Sequence, residues 1–299
     1  MSVFFVFVDG IGLGAPGAHN PFSVQAFQGL RRLSNGQDWT AEALPVVTEK
    51  AVFKPVDATL GLEGLPQSGT GQVTLFTGAN AAAIAGRHWG PYPHSATKET
   101  LLKQSFFKTL LDYGKKPFFI NAYPQRFFDF SEKSGRWSTS SLMVKQCGLP
   151  LNSLAEVLAG EAVTAELLQD YWKEKLGLGV PDVTANDVAG RISRAMERYD
   201  VVFLEYYLTD KAGHEQQMNP ALEAIRRIDA VLDAWLPLRR ENETLVLCSD
   251  HGNVEDLSVK THTMNPVPLA VEGPGAMFFQ EAESLMDVAP GLTKAAGVR

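Results

Sequence analysis

The chain alternates between short, unbroken apolar runs and longer stretches in which apolar residues recur every three or four positions. The unbroken runs are Val3 to Val8, Phe118 to Ile120, Val201 to Glu205, Thr244 to Cys248 and Val267 to Val271. Continuous rather than alternating hydrophobicity fits strands buried on both faces, as in a parallel sheet covered by helices. Thr184-Ala185-Asn186-Asp187 reads as a capping box, opening a helix with Val188, Ile192, Ala195 and Met196 on one face. Leu222, Ile225, Ile228, Val231, Leu232 and Trp235 form a second helical stripe. Repeated alternation of helix and strand predicts an α/β fold, a doubly wound and mostly parallel sheet flanked by helices.

Residues 121–181 break this rhythm, with short segments, a polar turn at Ser131-Glu132-Lys133-Ser134-Gly135-Arg136 and no strong strand. The expected organisation is one catalytic domain, built from residues 1–120 and 182–299, with 121–181 as a small inserted cap. A length of 299 residues suits one large domain with a modest insertion.

Composition adds exclusions rather than detail. Hydrophobic residues at 45% and charged residues at 20% are ordinary for a globular protein. A net charge of -7 provides no overall basic footprint, so neither nucleic acid nor an anionic membrane is an expected partner. Two cysteines, Cys147 and Cys248, cannot make a disulfide framework. The apolar N-terminal run lacks a basic flank and leads into Asp9-Gly10, unlike a signal peptide. No apolar run reaches the ~18 residues that a membrane span needs. A cytoplasmic protein is expected, with its oligomeric state left open.

Open α/β sheets bind ligands at the carboxyl ends of their strands. Asp9 follows the first run; Thr209-Asp210-Lys211-Ala212-Gly213-His214 follows Val201–Glu205; Ser249-Asp250-His251-Gly252-Asn253 follows Thr244–Cys248. Thr261-His262-Thr263 lies in the next loop. Singly, each has an ordinary reading: a turn residue, a helix cap, a strand-ending turn, a loop histidine. At one sheet edge together, they are the oxygen and nitrogen donors that Mn²⁺ or Zn²⁺ takes.

Ser68 sits in Leu65-Pro66-Gln67-Ser68-Gly69-Thr70-Gly71-Gln72-Val73-Thr74-Leu75-Phe76-Thr77-Gly78, a Gly-rich loop before a predicted helix. Backbone N–H donors and the positive helix end there suit a serine attacking phosphorus. The alternative is a helix N-cap. Gly12-Leu13-Gly14-Ala15-Pro16-Gly17 also matches the dinucleotide-binding G-x-G-x-x-G. No strand ending in an acid follows about 20 residues later; Arg31 to Gly36 reads as a helix end and turn.

In order along the chain, Phe7-Val8-Asp9-Gly10, the Ser68 loop ending in Thr77-Gly78, Thr209-Asp210-x-x-Gly213-His214, Ser249-Asp250-His251-Gly252-Asn253 and Thr261-His262-Thr263 resemble the alkaline phosphatase superfamily. The likeness is to its branch of cofactor-independent phosphoglycerate mutases and phosphopentomutases. It covers most of the chain outside the middle insertion, and Leu285-Met286-Asp287-Val288-Ala289-Pro290 is similar to the helix that often closes these domains.

The resemblance implies two divalent metal ions, Mn²⁺ or Zn²⁺. Asp9, Ser68, Asp250 and His251 would hold one, and Asp210, His214 and His262 the other. It implies Ser68, rather than Thr70, as a nucleophile that becomes phosphorylated by a small phosphorylated substrate. The insertion is small beside mutase caps, and Ser68-Gly69-Thr70-Gly71-Gln72 stands where the mutases carry a Ser-Glu-Val-Gly-His type of loop. The small insertion favours a phosphohydrolase, with a phosphomutase as the near alternative, and the loop difference argues against a direct transfer of the phosphoglycerate activity. A non-catalytic metal-binding protein and a dinucleotide-binding oxidoreductase are the readings from other classes. Arg87 and His88 are expected near the phosphate, with Lys211, Asn121, Arg126 and Arg136 as weaker candidates.

Overall fold

The structure is a computed structural model that describes residues 2–298. Its strands are β1 (Ser2–Val8), β2 (Val46–Val47), β3 (Ala51–Val56), β4 (Pro117–Phe119), β5 (Asn121–Ala122), β6 (Val163–Thr164), β7 (Val201–Tyr206), β8 (Glu243–Cys248) and β9 (Val267–Glu272). Seven of them form one sheet in the order β2-β3-β9-β8-β1-β7-β4. β8, β1, β7 and β4 run parallel, whereas β9, β3 and β2 extend one side antiparallel.

β1 lies mid-sheet, and both its faces are sealed. Phe4, Val6 and Val8 enter one core with the helices Ala185–Arg198 and Met218–Trp235. Val3, Phe5 and Phe7 enter the other, with the helices Ser68–Thr77, Phe106–Asp112 and Val288–Ala295. This two-sided burial is why the strand reads as an unbroken apolar run. Thr184 and Asp187 form the expected reciprocal cap, and the stripe from Leu222 to Trp235 is wholly buried.

The strands β2 and β3 were not expected. Val46–Val47 is too short to carry a pattern, and Lys54-Pro55 interrupts β3. Pro55 is tolerated where it pairs with Pro268 of β9, since neither residue has a backbone N–H to lose.

The middle region, 121–181, contributes the small parallel sheet of β5 and β6 and a satellite core of Ala122, Val157, Ala162, Trp172 and Val180. Its other apolar residues, including Met143, Val144, Val163 and Leu167, join the two main cores. Cys147 and Cys248 are both free thiols. No helix among the described residues is long and apolar enough to cross a membrane.

Phe203 is the hub of one core, packing against Phe5, Phe76, Phe106, Phe107 and Phe119 at ring-centroid distances of 5.2, 5.3, 5.6, 6.2 and 5.0 Å. Phe203→Ala is expected to lower unfolding stability by about 3–5 kcal/mol in a urea titration. A loss below about 1 kcal/mol would mean that the cluster refills the space.

Candidate metal centre

Backbone pairing aligns the ends of β1, β7 and β8, so Asp9, the Asp210 helix and the Asp250 loop emerge side by side. Ser68 is the first residue of the helix Ser68–Thr77, and Gln67 occupies the N-cap without a side-chain capping bond. Ser68 is therefore not a cap. Its hydroxyl instead lies 2.9 Å from His251 Nε2. The same imidazole nitrogen is 3.3 Å from Asp9 Oδ1 and 3.5 Å from Asp250 Oδ2.

Beside this group, His214 Nε2 is 3.4 Å from Asp210 Oδ2 and 3.3 Å from His262 Nε2, which is itself 3.5 Å from Asp210 Oδ1. The rings of His251 and His262 stack with centroids 3.7 Å apart, joining the two groups. The structure thus brings together Asp9, Ser68, Asp210, His214, Asp250, His251 and His262.

Electrostatics makes the gathering costly without a cation. Burial, reinforced by Asp250 and Asp210, raises Asp9 well above the usual carboxylate range. Burial and then Asp210 push Asp250 up to about 8. Burial and the neighbouring His262 hold His251 well below the ordinary histidine value, and burial also lowers His262. Asp9 Oδ1 is buried with no hydrogen-bond partner.

All three imidazoles turn Nε2 inward. Their Nδ1 atoms face the carbonyls of Gly252, Lys260 and Pro66 at 3.4, 2.9 and 2.7 Å for His251, His214 and His262. With the proton on Nδ1, the Nε2 lone pair is free for a metal. An orphaned carboxylate oxygen, crowded acids and aimed imidazoles fit a divalent cation. Ligand atoms of Asp9, Asp250 and His251 lie within 4.8 Å of one another, as do those of Asp210, His251 and His262.

Several neighbours were not singled out from the sequence. Gln72 Nε2 donates to Asp9 Oδ2 and Asp250 Oδ2, each at 3.2 Å. Its place four residues after Ser68, on the same helix face, was the available signal. Asn253 Nδ2 donates to Asp210 Oδ1 at 2.7 Å.

Glu255 is buried and accepts from the backbone N–H groups of Gly12 and Asn253 at 2.8 and 2.7 Å, from Asn265 Nδ2 at 3.0 Å and from the Thr263 hydroxyl. Nothing in its spacing announced that role. It also accounts for part of the G-x-G-x-x-G match. A Cβ at Gly12 would collide with the Glu255 carboxylate, so that glycine serves a close approach within the protein rather than a pyrophosphate. The first helix after the motif is the four-residue Pro21–Val24, too short for a dinucleotide turn.

A cavity of about 620 Å³ opens over the cluster, between the sheet edge and the middle region. Asp9, Ser68, Gln72 and Asp210 lie on its floor side, and Arg126 and Lys211 are cations on its lining. Glu205 also lines it, accepting from the Ser140 hydroxyl at 2.6 Å, with its carboxyl raised by burial. Arg87 and His88 are not among its lining residues. The Arg87 guanidinium lies 4.6 Å from the Trp89 ring centroid, and His88 Nε2 is buried without a partner. Asn121 is spent on the backbone of Glu205, and Arg136 is exposed.

The fold is that of the alkaline phosphatases. A cold-active alkaline phosphatase from Shewanella sp. matches with a TM-score of 0.57 and 11% identity over 100% of both chains. The alkaline phosphatase of the Antarctic bacterium TAB5 matches at 0.55 and 11%, over 100% of this chain and 98% of that one. In sequence, a 2,3-bisphosphoglycerate-independent phosphoglycerate mutase from Pseudomonas fluorescens is 32% identical over 131 residues, 40% of this chain and 25% of that protein. The corresponding mutase of Acetivibrio thermocellus is 32% identical over 120 residues, 37% of this chain and 23% of that one. The likeness therefore spans about a quarter of those relatives' length. Residues 177–299 match the Metalloenzyme superfamily.

In fold the chain is similar to the alkaline phosphatases, and over residues 177–299 it is similar in sequence to the Metalloenzyme superfamily. The matched segment holds Asp210, His214, Asp250, His251 and His262, whereas Asp9 and Ser68 lie outside it.

Metal-free, the raised carboxyls hold protons that the unfolded chain releases. The lowered imidazoles of His251 and His262 act in the opposite sense below about pH 6.5, so above that value the stability of the chelated protein should fall as pH rises towards about 8, where Asp250 ionises. Adding Mn²⁺ or Zn²⁺ should raise the melting temperature, more at about pH 8 than at about pH 6, because metal displaces those protons. Scanning calorimetry checks both trends, and Asp9→Asn or His262→Ala should shrink the metal-induced gain. A gain independent of pH and of both substitutions would mean that the ion binds elsewhere.

Proposed function

We propose that this protein is a two-metal phosphoester hydrolase acting on a small phosphorylated metabolite through a phosphoseryl intermediate. The observation that carries the reading is the Ser68 hydroxyl, aimed at His251 rather than capping its helix, beside buried Asp9 and Asp250 below an open cavity. Asp9, Ser68, Asp250 and His251 would hold one divalent ion and Asp210, His214 and His262 the other. Divalent ions there would lower the pKa of the serine hydroxyl and offset charge on the phosphoryl oxygens.

The chain supplies position. The helix that starts at Ser68 directs its positive end towards incoming phosphate. Gln72 keeps the Asp9 and Asp250 carboxylates in register through its side-chain amide. Gly71 lets that helix approach the Asp250 loop, since a Cβ there would stand 2.8 Å from the Asp250 carbonyl oxygen. Ser68 Oγ forms a bond to phosphorus as the ester oxygen leaves. Water then breaks the phosphoserine bond, releasing phosphate and restoring the hydroxyl.

A phosphomutase is the second reading, favoured by the names of the sequence relatives. The chemistry would be the same until a second hydroxyl of the bound substrate, instead of water, takes the phosphoryl group. Mutases must exclude water, and here the middle region leaves a cavity of about 620 Å³.

Phosphate release from a generic aryl phosphate, after chelation and re-addition of Mn²⁺ or Zn²⁺, separates the readings. We expect metal-dependent release, reduced at least ~100-fold in Ser68→Ala. Release unaffected by Ser68→Ala would sink the phosphoseryl intermediate. Isomerisation of a phosphoglycerate or phosphopentose without phosphate release would replace hydrolase with mutase.

A further inference from the structure

The cavity wall is unusual for a site that handles only a small sugar acid. Four aromatic side chains stand out as exposed, Tyr113, Phe130, Tyr171 and Tyr207, and three of them line this one cavity, at 51%, 43% and 46% exposure for Phe130, Tyr171 and Tyr207. Exposing apolar rings to water costs stability, so their convergence on one concave surface marks a binding face. Tyr123 and Phe127 add a pre-stacked pair, 3.9 Å between centroids and 16° from parallel, with both rings on the same lining.

Tyr171 is held in place rather than free. Arg126 Nη2 donates to its hydroxyl at 3.1 Å, and the guanidinium carbon lies 5.4 Å from the ring centroid. Such rings offer flat faces and few hydrogen bonds, which a three-carbon polyhydroxy acid cannot use. An aromatic wall can also take an ammonium group, but Arg126 and Lys211 stand on this lining and repel one. The acids on the same lining, Glu205 and Glu166, are occupied by the Ser140 hydroxyl and the Trp172 backbone N–H, and burial raises both carboxyls towards their neutral form.

We infer that the leaving group of the substrate is a planar heteroaromatic one, a nucleoside in a nucleoside monophosphate, stacked against the wall formed by Phe130, Tyr171 and Tyr207. This rests on the phosphoester reading of the metal centre for the phosphate end, whereas the ring subsite is independent of it.

The two parts are tested separately. Isothermal titration of the chelated protein with adenosine, which carries no phosphate, reads the ring subsite alone. Adenosine should bind, and Tyr171→Ala and Phe130→Ala should each weaken it about tenfold, the low end of what one base–aromatic stack contributes. Tyr171→Phe, which keeps the ring, should retain binding, and circular dichroism should show all three variants folded. With metal restored, Tyr171→Ala should lower kcat/KM for adenosine monophosphate about tenfold more than that for glycerol phosphate.

No adenosine binding, with adenosine monophosphate and glycerol phosphate hydrolysed equally well, would overturn the inference while leaving the phosphohydrolase standing. Adenosine binding weakened by the Ala variants, without phosphate release from any ester, would support the ring subsite and remove the phosphohydrolase. Tighter binding of choline than of adenosine would overturn the planar-ring assignment.

Discussion

Everything at the carboxyl edge of the sheet answers to one electrostatic constraint. Three acids and three imidazoles share a space in which their ligand atoms approach to between 3.3 and 3.5 Å, and most of them are buried. In that setting a carboxylate can lose its proton cheaply only beside positive charge. Much of the surrounding architecture restrains the crowd: Gln72 bridges two of the acids, Asn253 holds the third, and backbone carbonyls orient each imidazole. A site built this way is poor as an empty pocket and well shaped as a cage for cations.

The sheet supplies the rigidity such a cage needs. β1 and β8 are buried on both faces and flanked by strands on both sides, so the residues just past their ends inherit positions fixed by two hydrophobic cores. The middle region is anchored by the residues that it lends to those two cores, beside a small core of its own. Its own core holds few residues, and the aromatic face that it turns to the cavity is solvent-exposed.

Legibility followed the physics of each feature. Strands buried on both faces announce themselves as apolar runs, and β1, β7, β8 and β9 could be read within a residue or so of their ends. The clustering of acids and histidines was legible because such residues just past strand ends are uncommon without a purpose. β2 and β3 were not, being short or broken by Pro55. Glu255 was invisible for a different reason: its partners Gly12, Asn253, Thr263 and Asn265 come from three separate loops that only the assembled sheet brings together. The same holds for the cavity. Phe130, Tyr171 and Tyr207 are ordinary aromatic residues in sequence, and their shared wall is a product of how the middle region folds back. Expecting Arg87 and His88 in the cavity relied on proximity to the nucleophile helix, but the chain turns Arg87 onto Trp89 instead.

The hydrogen bond from Gly10 to Asp250 spans 240 residues, and that from Gln72 to the same carboxylate spans 178. Loop closure over such distances contributes nothing until the whole sheet has assembled. The segment 177–299, which carries five of the seven clustered residues, is therefore not a smaller version of the centre. A cut anywhere between Ser68 and Asp210 divides the cage into two incomplete sets of donors, so the intact centre doubles as a record that both ends of the chain have folded together.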